Sequence, residues 1–206
     1  MIYSYRIEQA LRAAAVLHKD QVRKGRIPYP YVTHLYAVAF IVADYIDDEA
    51  TIIAALLHDT LEDTDYTVSE LKNDFGDEVA KIVATVSEHQ GKTEKKEKTW
   101  KERKEQYIKQ LDKGSEAALI IAAADKIHNL RSITEEYFEH HVRYMQDFGS
   151  DLREKLLMYQ EISNVLNRRL KNDIIHEFNH VFSEYKNFIA HAERKSEEES
   201  RRRSQF

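Results

Sequence analysis

The chain has 206 residues, 42% of them hydrophobic and 33% charged, with a formal net charge of −5. That length and apolar share suffice for one sizeable packed domain, and the acidic balance argues against general nucleic-acid binding, which draws on a basic excess to displace counterions. The absence of cysteine excludes disulfides, thiolate catalysis and cysteine zinc sites.

No early apolar run resembles a signal peptide, and no window approaches the ~20 apolar residues of a membrane span. A cytoplasmic protein is the expectation. Both prolines, Pro28 and Pro30, fall in one stretch, GRIPYPY. The glycines (Gly25, Gly76, Gly91, Gly114, Gly149) fall where helical patterns stop or start. Breakers confined to junctions predict an all-α fold.

In chain order, Ile7, Leu11, Ala14 and Ala15 recur at helical intervals in a first helix ending near His18. A second helix is expected from Thr33 to about Tyr45. Asp47 or Asp48 caps a third, which carries Ile52, Ile53, Leu56 and Leu57. Thr67 or Ser69 starts a short helix ending at Gly76, and Asp77 begins another with Val79, Ile82, Val83 and Val86 on one face. The charged run from Lys92 to Lys98 reads as a solvated loop before the amphipathic TWKERKEQYIKQL. Ser115 opens a strongly apolar helix, EAALIIAAADKIHNLRSI, and further helical patterns cover 136–146, 150–171 and 173–191. The tail over 192–206 lacks an apolar face and reads as a fraying or disordered end.

Three segments carry chemistry. In AALLHDTLEDTD, His58 and Asp59 stand side by side at the end of an apolar helix, where both can reach one metal ion. If the helix continues, Glu62 lies one turn beyond, and Glu62 and Asp63 can act on water or a leaving group. In ALIIAAADKIHNL, Asp125 follows a seven-residue apolar run, where an ionised carboxylate needs a cation: a metal, Lys126 or Arg131. Asn129 lies one turn on. In QVRKGRIPYPYVTHLYAVA, His34 starts an apolar helix behind Arg23, Lys24 and Arg26, a cluster suited to a phosphorylated substrate.

HEFNH at 176–180 also fits the H-E-x-x-H pattern of zinc proteases. It lacks a third ligand or a preceding strand, so two histidines on a surface or interface helix is the better reading.

The ordered set, H at 34, HD at 58–59 and D at 125, resembles the HD superfamily of metal-dependent phosphohydrolases. The blocks H-x-x-Q-x-R-K at 18–24, P-Y-x-x-H at 30–34, H-D-x-x-E-D-T at 58–64 and A-D-K-x-H-N-L-R at 124–131, together with DFGDEVAKIV at 74–83, resemble the hydrolase domain of RelA/SpoT-type alarmone enzymes and the stand-alone small alarmone hydrolases.

That resemblance covers roughly residues 5–133 and implies an all-helical HD bundle, with the domain bounds at 1–135; the helical patterns place further helices over 136–191 that pack on it or form an interface, and a charged tail over 192–206. It implies His34, His58, Asp59 and Asp125 as metal ligands, manganese as the metal, Glu62 and Asp63 as the residues that position and activate water, and Arg23, Lys24 and Asn129 as substrate contacts. The implied reaction removes the 3′-pyrophosphate of guanosine tetra- or pentaphosphate; a homodimer is a possible assembly. Three departures stand out: the loop before His34 is longer than the usual G-x-P-Y, Ala122 stands where family members often carry lysine, and the region after Val86, EHQGKTEKKEKTWKERKEQYIKQL, does not match the alarmone enzymes closely. The open alternatives are an HD hydrolase of another phosphorylated nucleotide (a nucleoside monophosphate or a dinucleotide phosphate) and a non-catalytic nucleotide-binding HD module.

Overall fold

A computed structural model describes residues 3–23, 28–88, 99–148 and 152–203. Its elements are α1 (Tyr5–Leu17), α2 (Val32–Tyr45), α3 (Glu49–Leu56), α4 (Thr60–Asp63), α5 (Val68–Phe75), α6 (Asp77–Val86), α7 (Trp100–Asp112), α8 (Glu116–Glu136), α9 (His141–Phe148), α10 (Leu152–Arg169) and α11 (Ile174–Arg203). The fold is all-α. Among the described residues the only extended pairing is an isolated antiparallel bridge between Val22 and Pro30.

Side-chain caps set five of the helix starts, those at Asp48, Thr67 and Ser115 as the sequence suggested. Ser4, Asp48 and Ser115 accept bonds from the backbone N–H groups of Ile7, Thr51 and Ala118. Thr67 and Thr99 form reciprocal capping boxes with Glu70 and Glu102. Gly76 joins α5 to α6 with φ of 92°, a left-handed conformation that a side chain would strain.

Helix α8 is the axis of the bundle. Every residue from Ala118 to Asp125 is buried, and α2, α3, α6 and α11 pack against it. Helix α3 is buried along its length from Ala50 to Leu56. A helix apolar all round needs neighbours on every side, and α1, α2, α6 and α8 supply them.

The C-terminal helices close the other side of α8. Tyr144 of α9 and Tyr185 of α11 bring their hydroxyls within 3.0 Å. Arg131 of α8 pairs with Glu177 of α11 at 2.5 Å, and Asn172 donates to the Tyr45 carbonyl. Helix α11 continues to Arg203, past the point where the apolar face stops. Glu, Lys, Arg and Ala are strong helix formers, so the charged stretch extends the helix where the sequence suggested fraying.

Candidate active site

The chain breaks its helix where the chemistry sits. Helix α3 ends at Leu56, residues 57–59 form a turn, and α4 starts at Thr60. The continuous helix considered from the sequence is therefore not formed. In an unbroken helix His58 and Asp59 would diverge by about 100°; in the turn both side chains face one point. Ser87, just beyond α6, donates from its hydroxyl to the His58 carbonyl and ties the turn to the bundle.

At that point four side chains from three regions converge: His34 from the first turn of α2, His58 and Asp59 from the turn, and Asp125 from mid-α8. His34 Nε2 lies 3.5 Å from Asp59 Oδ2 and 3.2 Å from Asp125 Oδ1. His58 Nε2 lies 3.2 Å from Asp59 Oδ2 and 3.8 Å from Asp125 Oδ1. Donors bound about 2.1 Å from one ion stand roughly 3–3.5 Å apart, so the spacing fits a shared cation. The donor atoms of His34, His58 and Asp59 all lie within 4.8 Å of one another.

The tautomers also fit. His58 Nδ1 lies 2.8 Å from the Ala55 carbonyl and must donate to it, which in the neutral ring leaves Nε2 with its lone pair. That Nε2 is buried and has no hydrogen-bond partner. His34 Nδ1 and His128 Nδ1 are 2.9 Å apart, so His34 can donate there and also turn a lone pair inward. The mixed N/O set suits a divalent transition metal.

Charges around the cluster are strongly coupled. Burial opposes ionisation of Asp59, yet His58 and His34 outweigh it and hold the carboxyl well below the usual range. Burial likewise opposes charge on Asp125, and Lys126, at 2.5 Å, with the two imidazoles overcomes it. Asp125 pairs with Lys126 through Oδ2 and faces the histidines with Oδ1. Burial would push His58 down, but Asp59 and Asp125 raise it to about 9.

Glu62 lies beside this group, in a small cavity lined also by Tyr107, Ala122 and Lys126. The backbone N–H of Glu88 donates to its carboxyl. Burial, then Asp59, lift its pKa to about 8. Asp63 is exposed as a residue, yet partial burial of its carboxyl group, then Asp59, raise its pKa. Arg23 donates to Asn129 Oδ1 at 2.8 Å, and Asn129 donates to Asp125 Oδ1 at 2.5 Å. Lys24 and Arg26 lie outside the described residues, as does the run from Lys92 to Lys98.

Sequence reasoning missed several participants. The Tyr31 hydroxyl donates to Asp59 Oδ2 at 2.6 Å, and its ring stacks on His18 and meets the His34 edge. Burial, then Asp59, raise its pKa far enough to keep the phenol protonated. Tyr31 sits inside the P-Y-x-x-H block, which is the signal that could have found it. Gln21, in the first block, accepts from His18 and donates to the Asp63 carbonyl. Nothing in the sequence marks Glu88.

HEFNH gathers no metal-binding cluster among the described residues. His176 and His180 are exposed, while Glu177 is engaged by Arg131 and by the Tyr45 hydroxyl. Also among the described residues, no helix is long and apolar enough to cross a membrane.

A family model described as HD domain matches residues 10–150. The chain belongs to the HD-domain family. Within it, the chain is 37% identical over 145 residues to the zebrafish (Danio rerio) protein named guanosine-3′,5′-bis(diphosphate) 3′-pyrophosphohydrolase MESH1, covering 64% of this chain and 77% of that one. The human protein of the same name is 36% identical over 141 residues, covering 66% and 75%. A Streptomyces coelicolor protein named GTP pyrophosphokinase is 38% identical over 127 residues, which are 62% of this chain but only 14% of that longer protein.

Among solved structures, a metazoan SpoT orthologue described as hydrolysing ppGpp superposes with a TM-score of 0.74 at 28% identity, covering 88% of this chain and 96% of that one. A Listeria monocytogenes EGD-e protein superposes with a TM-score of 0.62 at 29% identity, covering 78% and 98%. This HD-domain chain is thus similar to the proteins named MESH1 over about three quarters of their length, and spans only a small part of the longer proteins named GTP pyrophosphokinase.

Proposed function

We propose that this HD-domain protein is a metal-dependent 3′-pyrophosphohydrolase of guanosine-3′,5′-bis(diphosphate), with manganese as its metal. The observation that carries the reading is the convergence of His34, His58, Asp59 and Asp125 with Glu62 at their side. Relatives named for that reaction support the substrate.

His34, His58, Asp59 and Asp125 would hold the cation. When bound, a divalent ion supplies Lewis acidity, which polarises a phosphoryl oxygen and acidifies water. Tyr31, as a neutral donor, fixes the Asp59 carboxylate. Glu62, held by the Glu88 N–H, accepts the proton of the attacking water; a carboxylate whose proton affinity lies near the working pH both takes and returns a proton. Asp63 orients the water at the rim. The water oxygen bonds to the phosphorus on the 3′ oxygen, that P–O bond breaks, and the 3′ oxygen leaves as a hydroxyl after taking a proton. Arg23, braced by Asn129, and Lys24 offset the charge of the substrate phosphates. We further propose that residues 136–191 brace the HD unit over 1–135 and pair two chains in a homodimer, which sedimentation of the full chain tests.

A second substrate reading has one observation in its favour. Ala122 lines the cavity beside Glu62, where alarmone enzymes often carry lysine, so a less highly charged nucleotide could be the substrate. A panel of phosphorylated nucleotides in manganese, with products identified, decides. Pyrophosphate released from the alarmone supports the main reading; orthophosphate from a nucleoside monophosphate or a dinucleotide phosphate, with the alarmone untouched, replaces it.

A further inference from the structure

Helix α7 contributes no residue to the proposed metal site, yet it reaches Glu62 in two steps. The Glu88 N–H donates to Glu62 Oε1, and Lys104 Nζ of α7 bonds the Glu88 carboxylate. The ion pair is largely shielded, its side chains 21% and 17% exposed. The Lys104 ammonium also lies 5.8 Å from the centre of the Trp100 ring, within cation–π reach.

The segment bearing Glu88 has no helix of its own to hold it. It follows the end of α6, whose last carbonyls lack intrahelical partners. Gln110, also from α7, supplies a donor: its Nε2 lies 3.0, 2.7 and 3.0 Å from the carbonyls of Ala84, Thr85 and Ser87. Tyr107, between these two anchors on α7, lines the Glu62 cavity. Gln110 thus holds the backbone up to Ser87, and Lys104 holds the Glu88 side chain.

We propose that Lys104 is a positioning residue for Glu62: by clasping Glu88 it fixes the backbone N–H that aims the Glu62 carboxylate at the water site. The inference rests on the proposed hydrolase reading for its kinetic consequence, but not for its structural one. A carboxylate that accepts no fixed donor samples several rotamers, and a misplacement of about 1 Å can cost up to a hundredfold in rate. Because neither Lys104 nor Glu88 is a proposed metal ligand or substrate contact, the loss falls on kcat.

The test is Lys104→Met, with Lys104→Arg as rescue and Glu88→Gln removing the same ion pair from the other side. Four quantities are read: kcat, KM, manganese affinity by calorimetry, and exchange of the Glu88 amide hydrogen by NMR. Lys104→Met and Glu88→Gln are expected to lower kcat roughly ten- to hundredfold, with KM and metal affinity unchanged, and to speed Glu88 amide exchange about tenfold as its acceptor drifts away. Lys104→Arg restores both, and combining the two substitutions adds little to either alone. Unchanged kcat and unchanged amide exchange in folded variants overturn the proposal. A raised KM with kcat intact overturns it in favour of direct substrate contact. If the unmodified protein turns over no alarmone, the hydrolase reading fails and amide exchange alone decides the clasp.

Discussion

His58 Nδ1 lies 2.8 Å from the carbonyl oxygen of Ala55, three residues back along the chain. A carbonyl can only accept, so Nδ1 keeps a proton, and the buried Nε2 offers a lone pair to a metal once the ring gives up its second proton. Manganese should therefore stabilise the folded chain, by about 2.7 kcal/mol at a free concentration a hundred times Kd. Thermal unfolding with and without manganese measures it. His58→Ala, Asp59→Ala and Asp125→Ala are expected to abolish the manganese-dependent rise in Tm. A full rise in any of them would remove that residue from the donor set.

Glu62 touches the cavity beside the donors but makes none of the close approaches among them. Glu62→Gln keeps the size of the side chain and removes its basicity. It should bind manganese as the unmodified protein does and lose about 10²–10⁴-fold in kcat, the range supplied by a positioned base. Calorimetry and steady-state kinetics separate the two effects, and an unchanged kcat sinks the assignment.

The metal-free protein should lose stability as pH rises. Asp59 and Asp125 overcome burial to raise His58 to about 9, and burial with Asp59 raises Glu62 to about 8. Their ordinary values are 6.5 and 4.5, whereas burial lowers His128 from 6.5 to about 4 and offsets Glu62 at the acid end, so His58 and Glu62 make the folded form hold the extra protons between about pH 6.5 and 9. The stabilisation from His58 is complete below its unfolded value and is gone above its folded one; the raised Glu62 moves stability the same way. The depressed carboxyls of Asp59 and Asp125 act only in acid, where their stabilisation is lost. Urea unfolding in chelator at pH 5.5, 7 and 8.5 should show a fall of the order of a few kcal/mol. Manganese competes with the same protons and should offset it. A rise in chelator would contradict these protonation states.

Arg23 is held by Asn129, and its guanidinium also lies 5.7 Å from the Tyr31 ring centre. Bidentate recognition of phosphate needs the planar guanidinium. Arg23→Ala should raise KM about tenfold or more, Arg23→Lys should recover only part of this, and manganese affinity should not move. An unchanged KM would place the phosphates elsewhere.

The sequence made the helices and their caps legible because these are local: Asp48, Thr67 and Ser115 sit beside the N–H groups they satisfy. The meeting of His34, His58, Asp59 and Asp125 was legible only as an ordered pattern, since no local rule brings α2, the turn and α8 together. The break after Leu56 carried no glycine or proline to announce it. Glu88 reaches Glu62 through a backbone N–H, which every residue except proline carries, so its identity held no clue. Lys104 looked like one more charge on an amphipathic helix until Glu88 was placed against it. Lys126 was visible as a partner for Asp125 but not as a wall of the Glu62 cavity.

The most direct test follows guanosine-3′,5′-bis(diphosphate) by phosphorus NMR, with the purified protein in chelator and again after manganese is added. The account predicts no turnover in chelator, release of pyrophosphate with formation of GDP once manganese is present, and neither product from Asp59→Ala. Turnover that persists in chelator or in Asp59→Ala, or an alarmone left intact by the manganese-loaded protein, would contradict it.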